Sequence, residues 1–152
     1  MDLDNGFAIA SQAATVGWLA LVLLPRWPWL VTAIRYGLIG LLSLAYAALV
    51  FAFFFRVEGG GFGGIAEVRA LFLSDPVLLA GWIHYLAFDL FVGVWIALRA
   101  DAIGVSRLLQ APILLATFMF GPIGLLLFYA CQAMPALFAL PQRNRFNVDA
   151  HA

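Results

Sequence analysis

Residues 77–98 read VLLAGWIHYLAFDLFVGVWIAL. Twenty-two residues carry one carboxylate, Asp89, and one imidazole, His84. A helix needs roughly 20 apolar residues to cross the hydrocarbon core of a bilayer, so this run predicts a membrane-spanning helix. The same reading extends to three further segments, 7–24, 34–55 and 111–134, the last interrupted by GPIG at 121–124. Backbone polar groups in lipid must be satisfied within the segment, which makes helix the expected form. The predicted fold is all-α: an integral membrane four-helix bundle, one domain over residues 1–152, with both termini on the same side.

Composition agrees with that reading. The chain is 65% hydrophobic and 11% charged, with a mean hydropathy of +1.02, whereas soluble domains are nearer half apolar and a quarter charged. Net charge is zero, so no basic surface points to nucleic acid. All eight basic residues are arginine, and without lysine there is no Schiff-base chemistry. A single cysteine, Cys131, excludes an internal disulfide and a cysteine-built metal cage. The two histidines are His84 and His151, the second in a polar tail, which disfavours a bis-histidine haem within the chain. The acidic start, Met1-Asp2-Leu3-Asp4, is unlike a signal or transit peptide. The first apolar run is therefore expected to stay as a helix.

The joints carry interface and capping signals. PRWPW at 25–29 combines two helix breakers, a cation and two tryptophans, as at headgroup level. SDP at 74–76 predicts a helix start, with Asp75 as cap and Pro76 in the first position. GGGFGG at 59–64 lacks the lysine and hydroxyl residue of a phosphate loop and reads as a mobile connector. IAEVRALF at 65–72 has the spacing of a short interfacial helix. With four spans, the positive-inside rule gives no orientation. Arg26, Arg35, Arg99 and Arg107 fall on one side; Arg56, Arg69, Arg143 and Arg145 fall on the other.

On a helical wheel, His84 and Asp89 stand about 140° apart and about 7.5 Å apart along the axis, too far for a bond within a regular helix. The wedge between them holds Gly81, Tyr85, Phe88 and Val92. The opposite side is aliphatic: Leu79, Ile83, Leu86, Leu90, Val94 and Ala97. Charged residues within spans face the bundle or a wet cavity. The polar wedge is thus expected to point inward, with Gly81 leaving room beside it, and the aliphatic side to face lipid. Two ionisable groups so placed can exchange protons with a bound molecule, or can hold neighbouring helices through Ser11, Gln12, Thr15, Ser43, Tyr46 or Thr117. Two ligands on separated flanks do not fill a metal's coordination sphere, so no metal is expected. In the fourth segment, Pro122 removes a backbone donor and crowds the carbonyl of Phe118. A kink there would open a pocket against the third helix.

WIHYLAFDLF (82–91) followed by FGPIGLLLFY (120–129) resembles the abscisic-acid-deficient-four-like proteins, small four-helix membrane proteins related to plant neoxanthin synthase. GWLALVLLPRW (17–27) and GGFGGIAEVRALF (60–72) look like bacterial members of that family. The likeness runs from about Gly17 to Tyr129. An arginine that follows the aspartate motif in bacterial relatives is replaced here by Val94 and Trp95. The plant transit extension is lacking, so a prokaryotic inner membrane is expected.

The resemblance implies an acid/base isomerisation of a carotenoid or related isoprenoid. An epoxide opens, a proton leaves carbon, and no cofactor is formally required. It makes His84 and Asp89 the candidate catalytic pair, with Gly81, Trp82, Tyr85, Phe88 and Pro122 lining the substrate. The alternative is a non-enzymatic pigment- or lipid-binding subunit or assembly factor, as a homo-oligomer or in a larger membrane complex.

Overall fold

The computed structural model describes residues 2–133. The predicted end of the fourth segment at Met134 lies outside them, as do Arg143, Arg145 and His151. Among the described residues every regular element is helical. Helix α1 spans Leu3–Leu23 and starts where the Asp2 carboxylate accepts the Asn5 N–H at 3.0 Å. The second apolar run is a single helix, Pro28–Arg56, made of α2 (Pro28–Thr32), a π-helical stretch (Ala33–Leu38), α3 (Ile39–Phe53) and a final 3-10 turn. PRWPW is therefore only half turn, since Pro28 opens the helix where a missing N–H costs nothing. Next come α4 (Ile65–Phe72) and α5 (Asp75–Ala102). Ser74, not Asp75, is the N-cap of α5, and Asp75 instead puts its charge in the first turn.

Helix α1, the Pro28–Arg56 run and α5 are long and apolar enough to cross a membrane. The fourth predicted span is a different object. It consists of α6 (Arg107–Phe120) and α7 (Pro122–Gln132), separated by Gly121 at φ +49° and ψ −98°. At 1.5 Å per residue these helices are about 21 Å and about 16 Å long, against about 30 Å of hydrocarbon. They fold back on each other. Gly124 lies so close to Thr117 that a Cβ on the glycine would collide with the threonine backbone, an approach that a straight helix cannot make over seven residues. Going out, Tyr85 bonds carbonyls of Phe118 and Met119. Coming back, Leu125 and Tyr129 line a small cleft with Phe91, Val92 and Trp95. Helix α7 thus returns toward the end of α5 from which α6 set out. The pair is a helical hairpin whose turn reaches Asp89, the middle of α5. Three long helices and a hairpin replace the expected four spans. Asp2 and Ala133 then lie at opposite ends of the molecule, not at the same end as expected.

Helix α5 is the hub, and it buries the aliphatic face expected to meet lipid together with Asp89, while His84 and Phe88 of the expected inward wedge are exposed. Leu79, Ile83, Leu86, Leu90, Val94 and Ala97, the predicted lipid face, are all buried. Trp82, Phe88, Phe91 and Trp95 are exposed. In a bilayer, lipid tails are as apolar as leucine, so helices associate by shape and close packing rather than by hiding grease. Aliphatic side chains beside small residues fit that requirement. Gly17 receives Leu38 and Leu90, Gly93 receives the Trp18 ring, and Ala14 is fully buried. Gly81 also lies in a contact, with Phe72 of α4 filling the space beside it.

One polar lock closes the end where α1, α5 and α6 meet. The Arg26 side chain is 3% exposed. It donates to Leu21 O (3.3 Å), Ala97 O (3.1 Å), Asp101 Oδ1 (2.8 Å) and Gln110 Oε1 (2.6 Å). Gln110, itself buried, donates to Asp101 Oδ1 (2.9 Å) and Val105 O (2.8 Å). Arg107 caps the end of α1 through Leu24 O at 2.7 Å. A cation at helix C-termini complements the carbonyls left without intrahelical partners.

Candidate functional site

The hairpin turn sets the site. Asp89 is 9% exposed, and its Oδ2 has no hydrogen-bond partner among the described residues. Its carboxylate lies against Gly121: a Cβ there would stand 2.6 Å from Oδ1 and 3.0 Å from Oδ2. Glycine is required twice over, by the positive φ and by the absence of room. Beyond the turn, α7 opens with Pro122, which has no N–H, and the Gly124 N–H donates to Gly121 O at 3.0 Å. One turn before Asp89 on the same side of α5, Tyr85 donates to the carbonyls of Phe118 and Met119, each at 3.1 Å. Those carbonyls belong to the open end of α6, so Tyr85 tethers the hairpin tip to α5.

His84 occupies the other flank. It is exposed, stacked on Phe88 at 4.5 Å between ring centres and tilted against Tyr46 of α3 at 5.3 Å. Because the hairpin covers only half of α5, the face carrying His84 and Phe88 stays open between α3 and the tip. His84 and Asp89 make no bond with each other. Ser11 instead accepts from Trp82 Nε1 at 2.9 Å, and Thr15 and Thr117 bond their own helices. None of these proposed partners bonds His84 or Asp89.

The candidate lining residues divide. Tyr85 and Phe88 lie beside the two ionisable groups, and exposed Pro122 follows the turn. Trp82 faces α1, stacked on Phe7 at 5.2 Å, and Gly81 faces α4. Among the described residues, no group of three His, Cys, Asp or Glu side chains is placed to hold a metal. The glycine loop wraps a carboxylate of the chain itself: Gly63 N–H donates to Glu67 Oε2 at 2.9 Å, and Gly61 packs on the same side chain.

A family model described as ABA4-like, ABA DEFICIENT 4-like, matches residues 6–128. The chain belongs to the ABA4-like family. No curated protein and no solved structure matches it. The matched region of this ABA4-like chain takes in α1, the long second helix, α5, α6 and most of α7, so both His84 and Asp89 lie within it. Two features of the ABA4-like chain escaped the sequence reading. Gly121 as the seat of Asp89 was foreshadowed only by a glycine–proline pair inside an apolar run. Burial of Arg26 had no signal beyond its position between two helix ends.

Proposed function

We propose that this chain is a multi-pass membrane protein that isomerises or otherwise modifies a carotenoid or related isoprenoid by acid/base chemistry. Asp89 and His84 are the proton-exchanging pair. The observation that carries this reading is a buried carboxylate with an unpartnered oxygen, set at the turn of a hairpin beside an open aromatic face. A carboxylate kept at such a depth with one oxygen unpartnered costs stability, and ionisable groups so placed mark functional sites. Substrate dissolved in the bilayer reaches the open face sideways and lies across the Phe88 ring, which separates the two groups. One group donates a proton to an epoxide oxygen as its C–O bond breaks. The other takes the proton lost from carbon, so the change is redox-neutral. Tyr85 keeps the hairpin tip, and with it Gly121, in place against Asp89.

The test is expression in cells that make epoxy-carotenoids, with pigment analysis beside His84→Ala and Asp89→Asn. A new pigment isomer is expected with the parent chain. A fall of roughly 100-fold or more is expected when a general acid or base is removed. Unchanged pigments across several epoxy-carotenoid backgrounds would overturn the assignment.

A second reading, a pigment- or lipid-binding subunit, draws on a separate observation. An apolar groove of about 660 Å³ runs between α1 and α3, floored by Leu79 and Ile83 and flanked by Ala13, Ala45 and Ala48. It bears no titratable group and lies across α3 from His84. A stoichiometric coloured ligand that copurifies unchanged with Asp89→Asn would favour it.

We also propose an orientation. Among the described residues, Arg26, Arg35, Arg99 and Arg107 lie at the end where the hairpin opens, and Arg56 and Arg69 at the other. The positive-inside rule puts the first end in the cytoplasm.

A further inference from the structure

Of the four arginines at the hairpin's open end, two are consumed by structure. Arg26 is held by four acceptors, and Arg107 caps α1. The other two, Arg35 in the π-helical stretch and Arg99 in the last turn of α5, line one cleft of about 310 Å³ with Phe91, Val94, Trp95 and Leu98. Neither makes an ion pair among the described residues, and the acid nearest in sequence, Asp101, is engaged by Arg26 and Gln110. The Arg35 guanidinium also lies over the ring of its neighbour Tyr36, 5.6 Å from the ring centre.

Both arginines are exposed on the cleft and no acid lines it, so an anion seated there gains charge-assisted hydrogen bonds from two cations. Guanidinium groups suit phosphate because their planar donors bind two oxygens at once. Below the arginines the walls are apolar. A second small cleft continues past Phe91 and Trp95 to Leu125 and Tyr129 of α7. A charged rim over an apolar floor fits a molecule with an anionic head and a hydrocarbon tail. A volume of about 310 Å³ stands at the lower end of ligand clefts, about 300–1,000 Å³, enough for a headgroup and the first part of a chain.

We propose that this cleft binds a membrane lipid with a net negative phosphate head, the phosphate between Arg35 and Arg99 and the tail along Trp95 and Leu98. The site is separate from Asp89 and does not depend on the carotenoid reading. It ties the first third of the second long helix to the end of α5, next to the hairpin.

Native mass spectrometry of the purified full chain, in micelles doped with phosphatidylglycerol or phosphatidylcholine, tests it. The expected result is a retained phosphatidylglycerol adduct, with at least about tenfold preference over phosphatidylcholine. That preference should fall by about tenfold for each of Arg35→Gln and Arg99→Gln, as for loss of one charge-assisted contact. Leu98→Trp keeps both charges, fills the floor and is expected to weaken the adduct as well. A thermal unfolding curve for each variant separates lost binding from lost fold. Equal retention of the two lipids, or an adduct indifferent to both arginines, would overturn the proposal. So would displacement of the lipid by millimolar inorganic phosphate, since the cleft would then read a free anion and not a lipid.

Discussion

The carboxylate of Asp89 rests on the α-carbon of Gly121, at the turn where α6 ends and α7 begins. Any side chain at 121 must hold φ near +49° and occupy space 2.6 Å from a carboxylate oxygen. Gly121→Ala is expected to lower stability by about 1–3 kcal/mol from backbone strain alone, and further from the collision. In an Asp89→Ala background the collision disappears while the strain remains. The double variant should therefore be more stable than the sum of the singles predicts. Thermal unfolding of the four proteins in one detergent measures the coupling, and strict additivity would show that the two residues do not touch.

Asp89→Asn separates a functional carboxylate from a structural one. A carboxylate that anchors helices would cost stability on neutralisation. One that is buried with an unpartnered oxygen carries a penalty of about 1–3 kcal/mol that the amide reduces. The expectation is an unfolding temperature equal to or above that of the parent, together with loss of pigment conversion. A clear drop in unfolding temperature would mark Asp89 as helix glue.

Arg26 is the reverse case. Its guanidinium is enclosed, with Nε and one terminal nitrogen donating, so Arg26→Gln leaves the Leu21 and Ala97 carbonyls and Gln110 Oε1 without this donor, and Asp101 with Gln110 alone. A loss of about 1–3 kcal/mol is expected, as for losing hydrogen bonds made by a buried charged group. Arg26→Lys should recover only part of this, because lysine has no counterpart of the Nε–H that holds Leu21 O. Unfolding curves for the two variants test the claim; a cost under 1 kcal/mol for Arg26→Gln would refute it.

Helix content was legible because length and hydropathy are local properties. The three long helices lie where their apolar runs lie, and α4 has the predicted bounds. The faces of α5 were not legible. A hydropathy wheel assigns the greasier side to lipid, but Leu79 through Ala97 pack because their shapes fit Gly17, Trp18 and the alanines of α1. Water, which makes hydropathy informative in soluble folds, is not the competing solvent there. The hairpin was half legible. GPIG announced a disturbance, and only the close approach of Gly124 to Thr117 distinguishes reversal from a kink. For the site, the separation of His84 from Asp89 follows from helix geometry. Which of them is buried depended on where the hairpin ends, which no local signal encodes.

The hairpin and the orientation are tested together by cysteine labelling. Cys131 is the chain's only cysteine, so Cys131→Ser gives a blank background. Single cysteines at exposed Asp4, Ala102 and Ala133 then report three positions. Four full spans would put residue 133 with residue 4. A hairpin puts it with residue 102. In intact cells, a membrane-impermeant maleimide is expected to label Asp4→Cys and to spare both Ala102→Cys and Ala133→Cys until the membrane is opened, as the arginine distribution requires. Labelling of 102 and 133 with 4 spared would keep the hairpin and reverse the orientation. Matched labelling of 4 and 133 against 102 would remove the hairpin, and with it the seat of Asp89.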